Sequence, residues 1–345
     1  MGKALVIKKT TPSLKDVAAA AGVSVTTVSR LVNGSLDLPY HTKKRIEDAI
    51  KSLNYIPNPH ARRLSMGRSD TIGLVVPEIA NPFFSTLVAA VEQAADERKL
   101  AVSLHATLNR AGREIEYLQL IERNHVDGLI FITNHPDDGA LASLINRSGK
   151  VIIVDEDVPG SKAPKLFCDN DHGGYLAGLH LAQQGHSHVL FIGGDERMIS
   201  ARRRFDGLMR ALREQHGDTA KVDRYAGEYT IDYGRKAAVR YLEEQHAATA
   251  IFASSDEIAI GLIEVFKDRN VSVPDDVSII GFDDVGPLHL FAPPLTVIRQ
   301  PVRQLGRRAL ELLLETNWQE WKPSASEELL PVEIVVRNSV APPAK

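Results

Sequence analysis

Hydrophobic positions along this chain follow two rhythms. Between residues 13 and 53 apolar side chains recur every three or four positions: Leu14, Val17, Ala18 and Ala21, then Val25, Val28, Leu31 and Val32, then Ile46, Ile50 and Leu53. That period predicts amphipathic helices. Ser13, with Asp16 three residues on, reads as a capping box. Gly22 reads as a left-handed stop, Ser24 as the cap of a second helix, and Asn33-Gly34 as its end. Two short helices joined by a turn around Gly22 make a helix-turn-helix. Residues 39–53, "PYHTKKRIEDAIKSL", add a third helix that completes a small head. Pro57 and Pro59 break it, leaving Pro59–Met66 before Gly67. So short a helix is unstable alone and is expected to order only against DNA or a partner.

From Thr71 the rhythm changes to short continuous apolar runs rich in Val and Ile: "TIGLVVP", "AVSLHAT", "DGLIFIT", "KVIIVDE", "HVLFIGG", "TAIFASS" and "DVSIIGFDD". Amphipathic stretches such as Phe84–Arg98 and Arg113–Asn124 lie between most of them. This alternation predicts parallel sheets covered on both faces, and the length fits two. Ligands of such sheets bind beyond the carboxyl ends of the strands. The residues to inspect there are Asn81, Phe83, Phe84, Asp155, Arg202, Arg204, Tyr229, Ser254, Ser255, Asp283 and Gln300. Carboxylates, a guanidinium and aromatic faces converging on a cleft suit a small polyol or sugar. Asp256 is expected to cap the helix that follows it.

Charge separates the two regions further. Residues 1–69 hold twelve Lys or Arg against four Asp or Glu, a surplus of eight, whereas the whole chain carries −3 and the remainder therefore −11. A basic head on an acidic body is expected when only the head meets a polyanion. The second helix carries Thr26, Thr27, Ser29 and Arg30 among its anchors. Short hydroxyls reach phosphates or a thymine methyl, and arginine grips a guanine edge. Lys43, Lys44 and Arg45 are read as solvated.

Other chemistry finds little support. No apolar run approaches the roughly 18 residues of a membrane span. The start, "MGKALVIKKTTPS", lacks the apolar stretch of a secretory signal. The single cysteine, Cys168, suits a reducing cytoplasm and is expected to lie inert in an apolar strand. "FIGGD" is a strand-end turn rather than a dinucleotide fingerprint, and neither a Walker motif nor a G-x-S-x-G elbow occurs. His186 and His188 in "GHSH" share a strand face without an evident partner set, so a structural role is expected. No cofactor, metal or enzymatic activity is expected.

"LKDVAAAAGVSVTTVSRLVNG", "NYIPNPHARRLS", "TIGLVVPEIANPFF", "GFDD" and "PPLTVIRQ", in this order and spacing, resemble the lactose/galactose repressor family of bacterial transcription regulators across nearly the whole chain. The resemblance implies that Val25, Thr26 and Arg30 face major-groove bases. Ser24, Thr27, Ser29, Asn33 and Thr42 would attend the backbone, and Leu14 is assigned to the same interface. It further implies paired hinge helices in the minor groove, with Ala61 allowing close approach and Leu64 wedging into a central base step. Ser65 stands where many relatives have a basic residue, and Ser255 where many have Asn. The positions of Arg204 and Asp283 would hold an effector, walled by Phe83, Phe84 and Tyr229.

The expected architecture is thus a small all-α helix-turn-helix head (1–57) and a hinge helix (58–69), joined to a two-lobed α/β periplasmic-binding-protein-like domain with parallel sheets (70–342). The lobes are expected at about 70–168 with 297–320 and at 169–296 with 321–342, the chain crossing near Cys168–Asp169, near Leu295–Arg299 and after Thr316. The expected function is a DNA-binding repressor acting as a homodimer on a pseudo-palindromic operator under control of a sugar-like effector. The C-terminal stretch shows no heptads, which favours a dimer. The same regulator answering a purine, a phosphorylated metabolite or a protein corepressor is the alternative. A solute-binding protein would lack the basic head.

Overall fold

The structure is a computed structural model and describes residues 12–32, 36–55, 69–123, 125–134, 139–318 and 326–343. The chain divides into two compact units, residues 1–70 and 71–345. Asn33, Ala61 and Leu64, with most of the expected hinge helix, lie outside the described residues.

The first unit holds helices α1 (Leu14–Ala21), α2 (Val25–Val32) and α3 (Tyr40–Ser52). Ser13 and Asp16 form the reciprocal capping box of α1, and Gly22 ends it at φ 62°. Ser24 Oγ accepts the Thr27 N–H at 3.1 Å and so caps α2. Val17, Ala18, Ala21, Val28, Ile46, Ala49 and Tyr55 form the core. Val25 does not join it; its side chain is 42% exposed. Arg45 departs from the solvated role expected of it. Its guanidinium donates to the carbonyls of Ala21 and Gly22, closing the C-terminus of α1. A cation there satisfies orphaned acceptors and complements the helix dipole.

The second unit is two αβ lobes. The first sheet has the order β11-β5-β4-β3-β1-β2, from strands Thr71–Val76 (β1), Ala101–Ala106 (β2), Gly128–Phe131 (β3), Val151–Val154 (β4), Lys165–Cys168 (β5) and Glu327–Leu330 (β11). The second has the order β12-β10-β9-β8-β6-β7, from His188–Gly193 (β6), Lys221–Ala226 (β7), Ala250–Ala253 (β8), Ser278–Asp283 (β9), Thr296–Arg299 (β10) and Glu333–Val335 (β12). All pairings are parallel except β10 with β12. β1, β3, β4, β6, β8 and β9 are buried along their length, as strands covered on both faces must be. The helices that cover them in the first lobe are α4 (Pro82–Asp96), α5 (Ala111–Glu122), α6 (Ala140–Ser148) and α11 (Val302–Glu315). Those of the second are α7 (Asn170–Gln183), α8 (Ile199–His216), α9 (Ile231–Glu243) and α10 (Asp256–Asp268).

The lobe boundaries differ from the expected ones. β10 pairs in parallel with β9 and so extends the second sheet through Arg299. β11 pairs with β5, which keeps the first lobe's returning segment through Leu330 rather than 320. The last crossing is therefore at residues 331–332, between two adjoining strands. Arg203 on α8 binds Glu327 of β11 at 2.7 Å, a further tie between the lobes.

Both sheets place their first strand beside the third, so each has a topological switch point, β1/β3 and β6/β8. Helices following such strands diverge to opposite faces and leave a crevice at the carboxyl ends.

Candidate functional site

On the first unit, α2 presents Val25, Thr26 and Arg30 as exposed side chains, with Thr26 and Arg30 one turn apart. Thr27 and Ser29 are half-buried, and the Ser24 and Thr27 hydroxyls lie 2.8 Å apart in a mutual hydrogen bond. Thr42 is half-buried in the first turn of α3. Leu14, assigned to the DNA-facing set, is half-buried and packs on the head core at the start of α1. An exposed helix face with hydroxyls, one guanidinium and its own N-terminus is what major-groove readout requires.

In the second unit a small cavity of about 40 Å³ lies between the lobes. Asn81, Phe83, Phe84, Asn134, Asp155 and Glu156 line it from the first lobe, and Ser200, Arg204, Tyr229, Ser255 and Asp283 from the second; Gln300 comes from the crossing segment. Every one lies at or beyond the carboxyl end of a strand. The structure thus brings together nine of the eleven residues singled out at the strand ends; Ser254 gives its carbonyl to Arg204 instead of lining the cavity. Arg202 is the correction: it is exposed on α8, about 200° around the helix from Arg204. Asn134, Glu156 and Ser200 were not anticipated.

Arg204 is buried and held from several sides. Its Nε donates to Asn170 Oδ1 at 2.7 Å and its Nη1 to the Ser254 carbonyl at 2.5 Å, while the guanidinium carbon sits 3.7 Å from the Phe282 ring centroid. Glycines put it there. A Cβ on Gly174 would lie 2.0 Å from the Arg204 carbonyl oxygen, and one on Gly207 2.0 Å from that of Asp171. Helices α7 and α8 therefore touch backbone to backbone, which no larger residue allows.

Three carboxyl groups surround this one guanidinium. Burial pushes the Asp155 carboxyl up to about 7, opposed by Arg204 and reinforced by Glu156 and Asp283. Asp283 is likewise raised by burial, although Arg204 and the Gln300 amide, 2.6 Å away, favour its charged form. Glu156 is raised by burial against hydrogen bonds from the N-terminus of α8. Asp155 and Asp283 adopt φ of 72° and 95°, a region costly for residues with a Cβ. Such strain is tolerated where surrounding structure holds it, and it concentrates at ligand clamps. Gln300 Oε1 is buried without a hydrogen bond among the described residues, and the buried Tyr229 hydroxyl meets only the Ser200 and Ser254 hydroxyls. Polar groups with spare hydrogen-bonding capacity beside a cavity suit a polar ligand.

Asp256 departs from the capping role expected of it. Ser255 is the N-cap of α10, and the Asp256 carboxylate accepts the N–H groups of Asp284, Val285 and Gly286 at 3.2, 2.9 and 2.7 Å. It fixes the loop leaving β9 and so the pose of Asp283. Burial and the charge of Asp283 push it up to about 7.

His188 does acquire partners in the fold. Its Nε2 lies 2.6 Å from Asp223 Oδ2, with His246 Nε2 at 3.3 Å and Lys221 Nζ at 3.1 Å from the same oxygen. The set has the composition of a metal site. However, the Ala248 N–H donates to His246 Nδ1, so the proton resides on Nε2 and no lone pair faces inward. These residues fit a hydrogen-bonded cluster on Asp223 rather than a metal. His186 is buried between Thr249 Oγ1 and the Ala341 carbonyl, a structural role. Among the described residues no helix is long and apolar enough to cross a membrane.

Comparison with known proteins agrees with the two units of the chain. Residues 13–58 match the lacI family of bacterial regulatory proteins, and residues 179–340 match the periplasmic binding protein-like domain. The chain is 33% identical to the HTH-type transcriptional repressor PurR of Mannheimia succiniciproducens over 329 residues, 95% of this chain and 98% of that one. It is similar to the transcriptional regulator CelR in complex with cellobiose, with 30% identity, TM-score 0.70, and coverage of 95% and 99%. It is also similar to the lac repressor dimer bound to operator and the anti-inducer ONPF, with 26% identity, TM-score 0.80, and coverage of 96% and 100%. With a helix-turn-helix head and a two-lobed ligand-binding unit in one chain, this protein belongs to the lacI family of bacterial DNA-binding transcriptional regulators.

Proposed function

We propose that the protein is a repressor whose homodimer binds a pseudo-palindromic operator, and that a small sugar or sugar derivative in the interlobe cavity sets its affinity for that DNA. The observation that carries the reading is the cavity itself. Buried carboxyls, one guanidinium, hydroxyls and the Gln300 amide converge between two lobes, with Phe83, Phe84 and Tyr229 on its walls. Sugar hydroxyls pair with Asp155, Asp283 and Arg204, and an aromatic ring covers an apolar C–H face. The cellobiose complex of CelR supports this choice.

Two-fold symmetry in the protein matches that of the operator, as in the operator-bound lac repressor dimer, with Val25, Thr26 and Arg30 of each head in the major groove. Ligand between the lobes alters the relation of the lobes, which the segment after the head transmits to the DNA. A hundredfold change in operator affinity needs about 2.7 kcal/mol of difference between the liganded and free states. A flat heterocyclic base such as a purine is the second reading, favoured by the aromatic walls.

The experiment is nuclease footprinting of the full-length protein on random-sequence-selected DNA, with and without a panel of sugars, polyols and nucleobases. A protected palindrome that appears or disappears with a sugar is expected. A response to nucleobases alone selects the second reading, and the absence of any protected palindrome overturns both. Arg30→Ala should weaken binding to the selected site far more than to unrelated DNA.

A further inference from the structure

We propose that the interlobe cavity admits uncharged ligands and refuses anions, and that Glu156 sets this rule. The inference rests on the cavity being the effector site. Its starting point is α8. The N-terminus of a helix presents unpaired N–H groups and a partial positive charge, a ready place for a phosphate or carboxylate. Here that place is filled from the opposite lobe. Glu156 follows β4, yet its carboxylate accepts the Ile199 N–H at 2.5 Å, the Ser200 N–H at 3.3 Å and the Ser200 hydroxyl at 2.6 Å. Its side chain is buried, with both oxygens engaged. The protein supplies its own anion where a ligand's anionic group would bind.

The remaining charges act in the same direction. Arg204 faces Asp155 and Asp283, and its Nε and Nη1 are committed to Asn170 and the Ser254 carbonyl. The outer cleft, which shares Asn134 and Tyr229 with the cavity, carries Glu78, Asp195, Glu196 and Glu228. Asp195 is paired with Arg197 at 2.6 Å and Glu196 with Arg224 at 3.7 Å, so the excess negative charge there is that of Glu78 and Glu228. An anion therefore approaches against like charge and finds the helix donors occupied. Hydroxyl groups meet no such barrier, since each can donate to Asp155 or Asp283. The same carboxylate joins the lobes, so refusing anions and holding the cleft together are one interaction. The ligand class that follows is an unphosphorylated, non-acidic polyhydroxyl compound.

The test is calorimetric titration of the full-length protein, at constant ionic strength, with D-ribose, D-glucose and cellobiose, with ribose 5-phosphate, glucose 6-phosphate and gluconate, and with inorganic phosphate. Wild type is expected to bind none of the anions. Glu156→Ser, which vacates the α8 N-terminus, is expected to gain affinity for inorganic phosphate by at least about tenfold. Glu156→Gln, which keeps the volume and removes the charge, serves if the Ser variant does not fold. Its tolerance for glucose 6-phosphate should rise relative to wild type. Binding of a phosphorylated sugar to wild type, or no gain of anion affinity in the variants, overturns the charge rule even where neutral sugars bind. If no sugar binds wild type and the variant still takes up phosphate, the sugar reading falls and the charge rule stands.

Discussion

The guanidinium of Arg204 stacks 3.7 Å above the centre of the Phe282 ring, while two of its nitrogens are held by Asn170 and the Ser254 carbonyl. Planarity is what permits all of this at once. A lysine ammonium reaches a single point and cannot both stack and fork. Arg204→Lys should therefore lose on the order of 2–3 kcal/mol of stability, read as a lower urea midpoint of the full-length protein. It should also lose the ligand-induced rise in Tm. An unchanged midpoint would show that charge, not planar geometry, is what the site uses.

Asp155 makes the site sensitive to pH. Its folded carboxyl titrates near 7 against an ordinary value near 3.8, so between those limits the folded chain holds more protons than the unfolded one. Stability then falls as pH rises from 4 to 7, because the charged form is disfavoured in the fold. Asp155→Asn should flatten that limb and raise Tm at pH 8. Ligand hydroxyls that donate to Asp155 favour its ionised form, so binding at pH 7 should release a proton. Calorimetry in two buffers of different ionisation enthalpy measures it, and proton uptake on binding would reverse the assigned direction of that hydrogen bond.

Asp256 holds three backbone N–H groups of the loop leaving β9. Asp256→Ala leaves them without an acceptor, at a cost of about 1–3 kcal/mol. Since the same loop poses Asp283, ligand affinity should fall with stability. Hydrogen exchange at the amides of Asp284, Val285 and Gly286 reads the first effect directly. Unchanged protection there would remove Asp256 from this role.

In the head, Arg45 closes α1 through the carbonyls of Ala21 and Gly22. Arg45→Ala should destabilise the head by about 0.5–1.5 kcal/mol, seen as faster amide exchange in α1. Lys44→Ala should leave that exchange unaltered. Equal behaviour of the two variants would return Arg45 to the solvated set.

Much of this was legible because the signals are local. Ser13, Asp16, Gly22 and Ser24 act within one turn of chain, so their capping roles could be read from spacing alone. The apolar strands needed no partner to be recognised, and the carboxyl-end rule then selected Asp155, Arg204 and Asp283. β7 was missed because its sequence, KVDRYA, carries Lys221, Asp223 and Arg224 among its apolar residues and so holds no continuous apolar run. Arg202 was taken with Arg204 because two arginines in one short segment look alike until the helix turns them apart. Glu156 was passed over beside Asp155, since nothing near it in the chain requires a carboxylate.

The order of residues alone settled the periodicities, the caps, the two-part charge and the family motifs, each an interaction spanning a few positions. Tertiary structure alone decided which sheet claims β10 and β11, because strand pairing depends on edges brought together from far along the chain. It also decided which acids meet. Glu156 reaches the N-terminus of α8 across 43 positions and Asp283 reaches Gln300 across 17. Electrostatic partnership depends on distance in space, and only the closed fold sets that distance.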